Sequence, residues 1–450
     1  MGSSDCVGSS TPPVVSEPAL RRLARRSDAD RVTLRLALPV TLVLAVLAVP
    51  SAAPRSVPVA LARTVVSQPD PAAAALGRRV LAALATSGAT TLAAAVDVEG
   101  YGPVLRSSAT AGLPPASTQK LFTTAAVLAG LPRTKTLRTA VVAVGTPVAG
   151  RQPGNLWLVG GGDPFLTGAD LQALGRSVRR AHITVITGAL VLDDTRYDAR
   201  RRAPGWKPEF VPGESGPLCA LAVDHNSWRH DAAFLADPGL PDLARFQGAL
   251  ASYGVRVLGG LRRGGQPRGA HVVAEHQSGP LAAVVRRVDK DSDNFAAELL
   301  LKELGRVRRG EGSSAAGVHA VKDVLGPLGV PVGPAADGSG LSAYDRQSPE
   351  TELALLGALD GTAAGTALRA ALPVACQDGT LAHRMCGTPA AFTVVAKTGT
   401  LDGVRALAGW TTSAGGRSVR FAFQLTGFRD GLAARAALDA AAVVLSAAVG

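Results

Sequence analysis

The chain has 450 residues, 47% hydrophobic and 18% charged, a globular composition with enough apolar material for a large core, and its length suggests two or three domains. A net charge of +12 suits an anionic partner such as nucleic acid or a cell wall, but no zinc-finger spacing, basic helix or aromatic RNA-binding signature is present, which argues against nucleic acid. The four cysteines (Cys6, Cys219, Cys376, Cys386) form no CxxC pair and no Cys/His cluster, so no zinc site is expected, and nothing else calls for a metal or cofactor.

In chain order, residues 1–35 are rich in Ser, Pro and Arg and predict no packed structure. Residues 36–53 are uncharged and apolar and follow Arg31 and Arg35. That is the pattern of a signal peptide or membrane anchor, with Ala60-Leu61-Ala62 as an A-x-A cleavage site if it is removed. Residues 1–63 are therefore set apart as tail plus export segment, the only part expected to meet a membrane. Asp70-Pro71 then signals the start of a helix over 71–86. A strand at 90–98 and a turn at 101–103 follow. Pro114-Pro115 precedes a helix at 117–129. Beyond 135 the pattern changes to short apolar runs (140–144, 156–159, 183–192) between Gly-rich turns, which predicts a β-rich insertion over 136–280. Helical periodicity returns at 294–304 and 349–359. Strands are expected at 393–396, 405–412 and 419–425, with Asp402-Gly403 as a hairpin turn, and a last helix at 432–448. Residues 64–135 and 281–450 thus make one α/β catalytic domain, an antiparallel sheet flanked by helices.

Three short motifs occur in order: Ser117-Thr118-Gln119-Lys120, Ser292-Asp293-Asn294 and Lys397-Thr398-Gly399-Thr400. The chain has only seven lysines against forty arginines, and three asparagines. Each retained Lys and Asn is therefore informative, because Lys can shed its proton on burial and Arg cannot. A serine hydroxyl needs a base before it attacks, and positions i and i+3 of a helix share a face, so Lys120 can serve Ser117. A neighbouring cation such as Lys397 would lower the Lys120 pKa. Ser292 can pass a proton to a leaving amine, and Asn294 can bond a substrate carbonyl or the base. Lys397, Thr398 and Thr400 suit a substrate carboxylate, and Gly399 lets a substrate backbone lie close. The Ser117 and Thr400 amides would form an oxyanion hole. Taken singly, each motif reads as a helix start, a cap or an edge strand; their order and context favour chemistry. His225 is read as a structural polar residue and Gly160-Gly161-Gly162-Asp163-Pro164 as a turn.

On these motifs the chain resembles the D-alanyl-D-alanine carboxypeptidase/endopeptidase family of low-molecular-mass penicillin-binding proteins, from about residue 70 onward. The segments 158–164, 188–194, Asp337-Gly338-Ser339-Gly340-Leu341-Ser342 and Asp378-Gly379-Thr380-Leu381 also look like that family's. The resemblance implies a β-lactamase/transpeptidase-like fold, export to the periplasm, cell wall or outside, peptidoglycan stem peptides as substrate and acylation of Ser117 by β-lactam antibiotics. Ala343 departs from the family's usual Arg. Cys376 stands where Gly is common, which strengthens a Cys376–Cys386 disulfide over two separate thiols. A β-lactamase and an inactive wall-binding scaffold are the alternatives. The 175 positions from Ser117 to Ser292, and the lack of a Glu-x-x-Leu-Asn segment between Asn294 and Lys397, argue against a class A β-lactamase.

Overall fold

The computed structural model describes residues 70–449; the basic tail and the apolar run at 36–53 lie outside the described residues. Asp70 caps α1 (Pro71–Ala85) by accepting from the Ala72 amide, and Pro71 takes the first helical position, where its missing N–H costs nothing. Strands β1 (Thr91–Val98) and β2 (Gly102–Ser107) follow. The helix expected at 117–129 opens as a 3₁₀ turn, Ala116–Thr118, and continues as α2 (Gln119–Gly130).

The next segment contributes β3 (Arg138–Ala143), β4 (Leu156–Val159), α3 (Gly168–Arg180), β5 (Leu190–Asp193), α4 (Gly239–Ser252), β6 (Leu261–Arg263) and β7 (His271–Gln277). Its sheet has the order β7-β3-β4-β5-β6. The apolar run at 183–192 is not one strand. Val185–Ile186 pairs in a separate small parallel sheet, and Leu190–Asp193 pairs with β4. Between them Gly188 sits so close to Asn155 and Gly154 that a Cβ would strike both, and the chain changes sheets there. Helices α3 and α4 bury Leu174, Val178 and Phe246 with Leu158 and Leu192 in a core of their own. Short apolar runs gave no sign of these two helices.

Helices α5 (Leu281–Asp291), α6 (Asn294–Arg309), α7 (Ser314–Leu325), α8 (Pro349–Leu359) and α9 (Ala363–Ala371) come next, then β8 (Val395–Leu401), β9 (Val404–Thr412), β10 (Ser418–Thr426) and α10 (Gly431–Ser446). The main sheet runs β8-β9-β10-β1-β2, antiparallel throughout, so strands from both ends of the described chain share it. Leu401 pairs with Val404, which leaves Asp402-Gly403 as a two-residue turn with Gly403 at φ 67°.

The two faces of this sheet differ. Successive strand residues point to opposite sides. Val96, Val98, Phe421, Phe423 and Leu425 face α1 and α10 and bury against Val80, Leu84, Leu438 and Leu445. The other face offers Ala95, Ala408 and Ala422 to the helical core around Phe122, Val285 and Leu300. Small residues there let α2, buried from Gln119 to Leu128, lie close to the sheet. The 3₁₀ turn accordingly rests against β8 and β9.

Candidate active site

The turn that carries Ser117 is held by backbone shape. Ala116 takes φ 49°, and Gly340 (φ 88°) lies against its carbonyl where any Cβ would collide. The second residue of α2 and one turn after Ser117, the fully buried Lys120 places Nζ 2.9 Å from Ser117 Oγ, 2.7 Å from Asn294 Oδ1 and 2.8 Å from the Ser339 carbonyl. The last two are acceptors. A neutral amine has two N–H groups and one lone pair; with the N–H groups directed to Asn294 and Ser339, the lone pair faces the Ser117 hydroxyl. Asn294 is held in that orientation because its Nδ2 donates to the Glu214 carbonyl (3.1 Å). The Asp337–Ser342 loop is fixed in turn: Glu298 Oε1 accepts from the Gly338 and Ser339 amides, and Asp337 Oδ2 accepts from Trp206 Nε1 (2.7 Å).

Capping of α6 falls to Asp293, which accepts from the Ala296 amide (2.9 Å), and not to Ser292 or Asn294. Ser292 ends α5 in the left-handed conformation, φ 57°, a state uncommon for non-glycine residues and worth attention at a site. This turn frees both side chains to face the cleft. His225 Nε2 lies 2.9 Å from Asp293 Oδ2, from a run of three left-handed residues, Asp224, His225 and Asn226. Burial would raise the Asp293 carboxyl, but the bonds from His225 and Ala296 outweigh it and leave it below the usual carboxylate range. His225 is thus a structural polar residue that steadies the second motif.

Lys397, fully buried on β8, donates to Ser292 Oγ (2.8 Å). Thr398 Oγ1 donates to Thr380 Oγ1 (2.9 Å), and Thr400 is exposed at the cleft. A Cβ at Gly399 would meet the Pro115 carbonyl oxygen at 2.8 Å and the Ala116 Cβ at 3.3 Å. The glycine lets β8 press against the turn that carries Ser117. Gly399→Val is expected to cost about 1–3 kcal/mol by overpacking and to slow penicillin labelling at least tenfold. A variant with the parent's melting temperature and labelling rate would contradict this role.

The Thr380 loop is tied down twice. A disulfide joins Cys376 and Cys386, and Lys290 Nζ bonds both Asp378 oxygens and the Leu372 carbonyl (each 2.6 Å). Reduction, or Cys386→Ser, is expected to lower stability by about 2–4 kcal/mol and to reduce activity by loosening Thr380 from Thr398. An unchanged thermal midpoint in reductant would show that the bridge contributes nothing.

Burial, not Lys397, is the main force on Lys120: it lowers the ammonium to about 8 against the opposing pull of Asp337, Asp293, Glu298 and Asp289. Loss of hydration outweighs those four carboxylates. Lys397 is also held far below the ordinary lysine range, by burial first and Lys120 second, while Asp289 pulls it back up. All three motifs therefore converge on one cleft. Sequence reasoning missed the Ser339 and Glu214 carbonyls, which no side-chain pattern reveals. It also assigned no role to Thr380, although the Asp378–Leu381 segment had been singled out, and it missed Asp289.

The family model for the D-Ala-D-Ala carboxypeptidase 3 (S13) family matches residues 80–244 and 234–448. The chain belongs to this family. It is a serine-type D-Ala-D-Ala carboxypeptidase with a penicillin-binding fold. The D-alanyl-D-alanine carboxypeptidase of Actinomadura sp. (strain R39) is 31% identical over 378 residues, covering 66% of this chain and 70% of the relative. Carboxypeptidase DacB of Mycolicibacterium smegmatis is 32% identical over 408 residues, covering 84% and 85%. The crystal structure of penicillin binding protein 4 (dacB) from Haemophilus influenzae superposes with a TM-score of 0.74 at 23% identity, over 80% of this chain and 97% of that one, so the fold is shared. Family membership favours the peptidase over the β-lactamase alternative.

Proposed function

We propose that Ser117 is the nucleophile and Lys120 its base in the release of the terminal D-Ala from peptidoglycan stem peptides. The observation that carries this reading is the three-way contact of the fully buried Lys120 Nζ with Ser117, Asn294 and Ser339. Neutral Lys120 takes the Ser117 proton as Oγ attacks the penultimate D-Ala carbonyl carbon. The Ser117 and Thr400 amides receive the developing oxyanion. Ser292, bonded to Lys397, relays the proton held on Lys120 to the departing amide nitrogen, so that Lys120 is again an amine as the peptide C–N bond breaks. D-Ala leaves with its carboxylate beside Lys397, Thr398 and Thr400. Water then attacks the ester carbonyl, returns a proton to Ser117 Oγ through Lys120, and frees the shortened peptide.

Penicillin enters by the same attack and acylates Ser117, as the β-lactam complex of the Haemophilus influenzae relative leads one to expect for this fold. Residues 64–135 and 281–450 form the catalytic lobe and residues 136–280 the inserted one, a division supported by the separate core around Leu158 and Phe246, while Tyr197, Trp206 and Leu218 of the insertion pack with Phe295, Leu299 and Leu341. The enzyme acts outside the cytoplasm, with residues 36–53 serving export or anchorage. A stem pentapeptide ending in D-Ala-D-Ala and its D-Ala-L-Ala counterpart test the reading. Release of alanine from the first only is expected; release from neither, or from both equally, overturns it. A crosslinked muropeptide dimer run in parallel measures the endopeptidase share.

A further inference from the structure

Asp289 is a buried charge with no place in the mechanism above. It sits near the end of α5, one helical turn before Ser292, with no exposed surface. Neither carboxylate oxygen has a hydrogen-bond partner among the described residues. The Thr124 hydroxyl, which faces it, donates instead to the Lys120 carbonyl (2.7 Å). An unpaired carboxylate in such a place is unfavourable unless opposite charge lies near.

The opposite charges are the two lysines of the cleft. Burial pushes the Asp289 carboxyl up, to about 7, against the opposing pull of Lys397, the facing Thr124 hydroxyl and Lys120. Its other neighbours offer no charge. α9 carries only Arg369, whose guanidinium lies over the Trp410 ring, and Asp378 is bonded to Lys290. From α6, Glu298 acts on Lys120, as do Asp293 and Asp337.

We propose that Asp289 is a positioning residue for acylation: its buried carboxylate keeps one positive charge on the Lys120–Lys397 pair, so that one lysine remains an ammonium while the other is free as an amine. Two ammoniums would leave Ser117 without a base, and two amines would leave nothing to meet the substrate carboxylate. An incoming carboxylate beside Lys397 holds the charge there and leaves the lone pair on Lys120. This inference rests on the roles assigned above to Ser117 and the two lysines.

The test is the pH profile of Ser117 acylation by a fluorescent penicillin, from pH 5 to 10, in the parent, Asp289→Asn and Asp289→Glu. Without the carboxylate both lysines lose their protons more readily. Both limbs of the Asn profile are expected to move to lower pH, by about one unit, while Glu keeps the parent limbs. A lower rate at every pH with unmoved limbs would mean a merely structural role and overturns the proposal. Where Asp289→Asn does not fold, ¹⁵N spectra of the lysine-labelled parent decide. The signals of Lys120 and Lys397, recognised by their absence from the corresponding Arg variants, are expected to lose one proton between them from pH 6 to 9. Two ammoniums persisting through pH 9, or two amines at pH 6, overturn it. A parent that is not acylated at Ser117 would instead refute the reading of the site itself.

Discussion

Ser117→Ala is expected to abolish penicillin labelling and to reduce D-Ala release by at least about 10⁴-fold, the scale on which loss of the nucleophile collapses an acyl-enzyme route. No neighbouring hydroxyl is placed to substitute. Thr118 Oγ1 is buried between the Pro115 carbonyl and Glu352, within hydrogen-bond distance of both, and Ser292 is engaged by Lys397. The Ser117 side chain has one hydrogen bond, to Lys120, so the variant should melt within a few degrees of the parent. Loss of activity at unchanged stability separates a chemical role from a structural one. A variant that labels as the parent does would remove Ser117 from the chemistry.

Lys120→Arg is expected to slow acylation by about 10²–10⁴-fold, the usual worth of a positioned general base. Arginine keeps the charge but cannot be deprotonated in a protein, so the change tests the base and not merely the cation. The parent's own pH dependence carries the same information. Burial lowers Lys120 to about 8, and the reactive form is the amine. The acylation rate should therefore rise as pH increases towards about 8, close to tenfold per unit on the acid side. Rates of fluorescent-penicillin labelling between pH 6 and 9 measure this. A flat profile below pH 8, or an Arg variant as fast as the parent, would assign the proton to another group.

Much of the site was readable before any coordinates because its side chains carry scarce chemistry in local motifs. Lys120 and Lys397 stand out among forty arginines, and Asn294 among three asparagines. The i, i+3 spacing survived the change from helix to 3₁₀ turn, since Ser117 and Lys120 still meet. Backbone roles were invisible: the Ser339 carbonyl is a ligand for Lys120 whatever side chain residue 339 bears. The contact of Gly399 with Pro115 was not legible, because a glycine tells of close approach without naming the approaching group. The expected force on Lys120 was wrong for a related reason. Motifs show which charged side chains the chain carries, but burial is a property of the packed molecule, and burial dominates.

In the fold, the regular helices and the last two strands were clearest, whereas the strand expected at 393–396 is observed at Val395–Leu401. The helix expected at 349–359 is observed as Pro349–Leu359, and Asp402-Gly403 turns the hairpin. The inserted segment was least legible. Its apolar run at 183–192 has no periodicity to mark the break at Gly188, where one stretch of chain feeds two sheets. Helix α3 is strongly amphipathic, with only Leu171, Leu174, Gly175 and Val178 buried, and so offered no continuous apolar run.

The central claim is that one serine, Ser117, carries the acyl group. Incubating the enzyme with penicillin, digesting it with trypsin and locating the added mass tests that claim directly. The adduct is predicted on the peptide spanning residues 107–120, at Ser117, and should vanish on prior incubation with excess D-Ala-D-Ala-terminated stem peptide. An adduct on the peptide spanning residues 291–302, which contains Ser292, or no covalent adduct at all, would contradict the account.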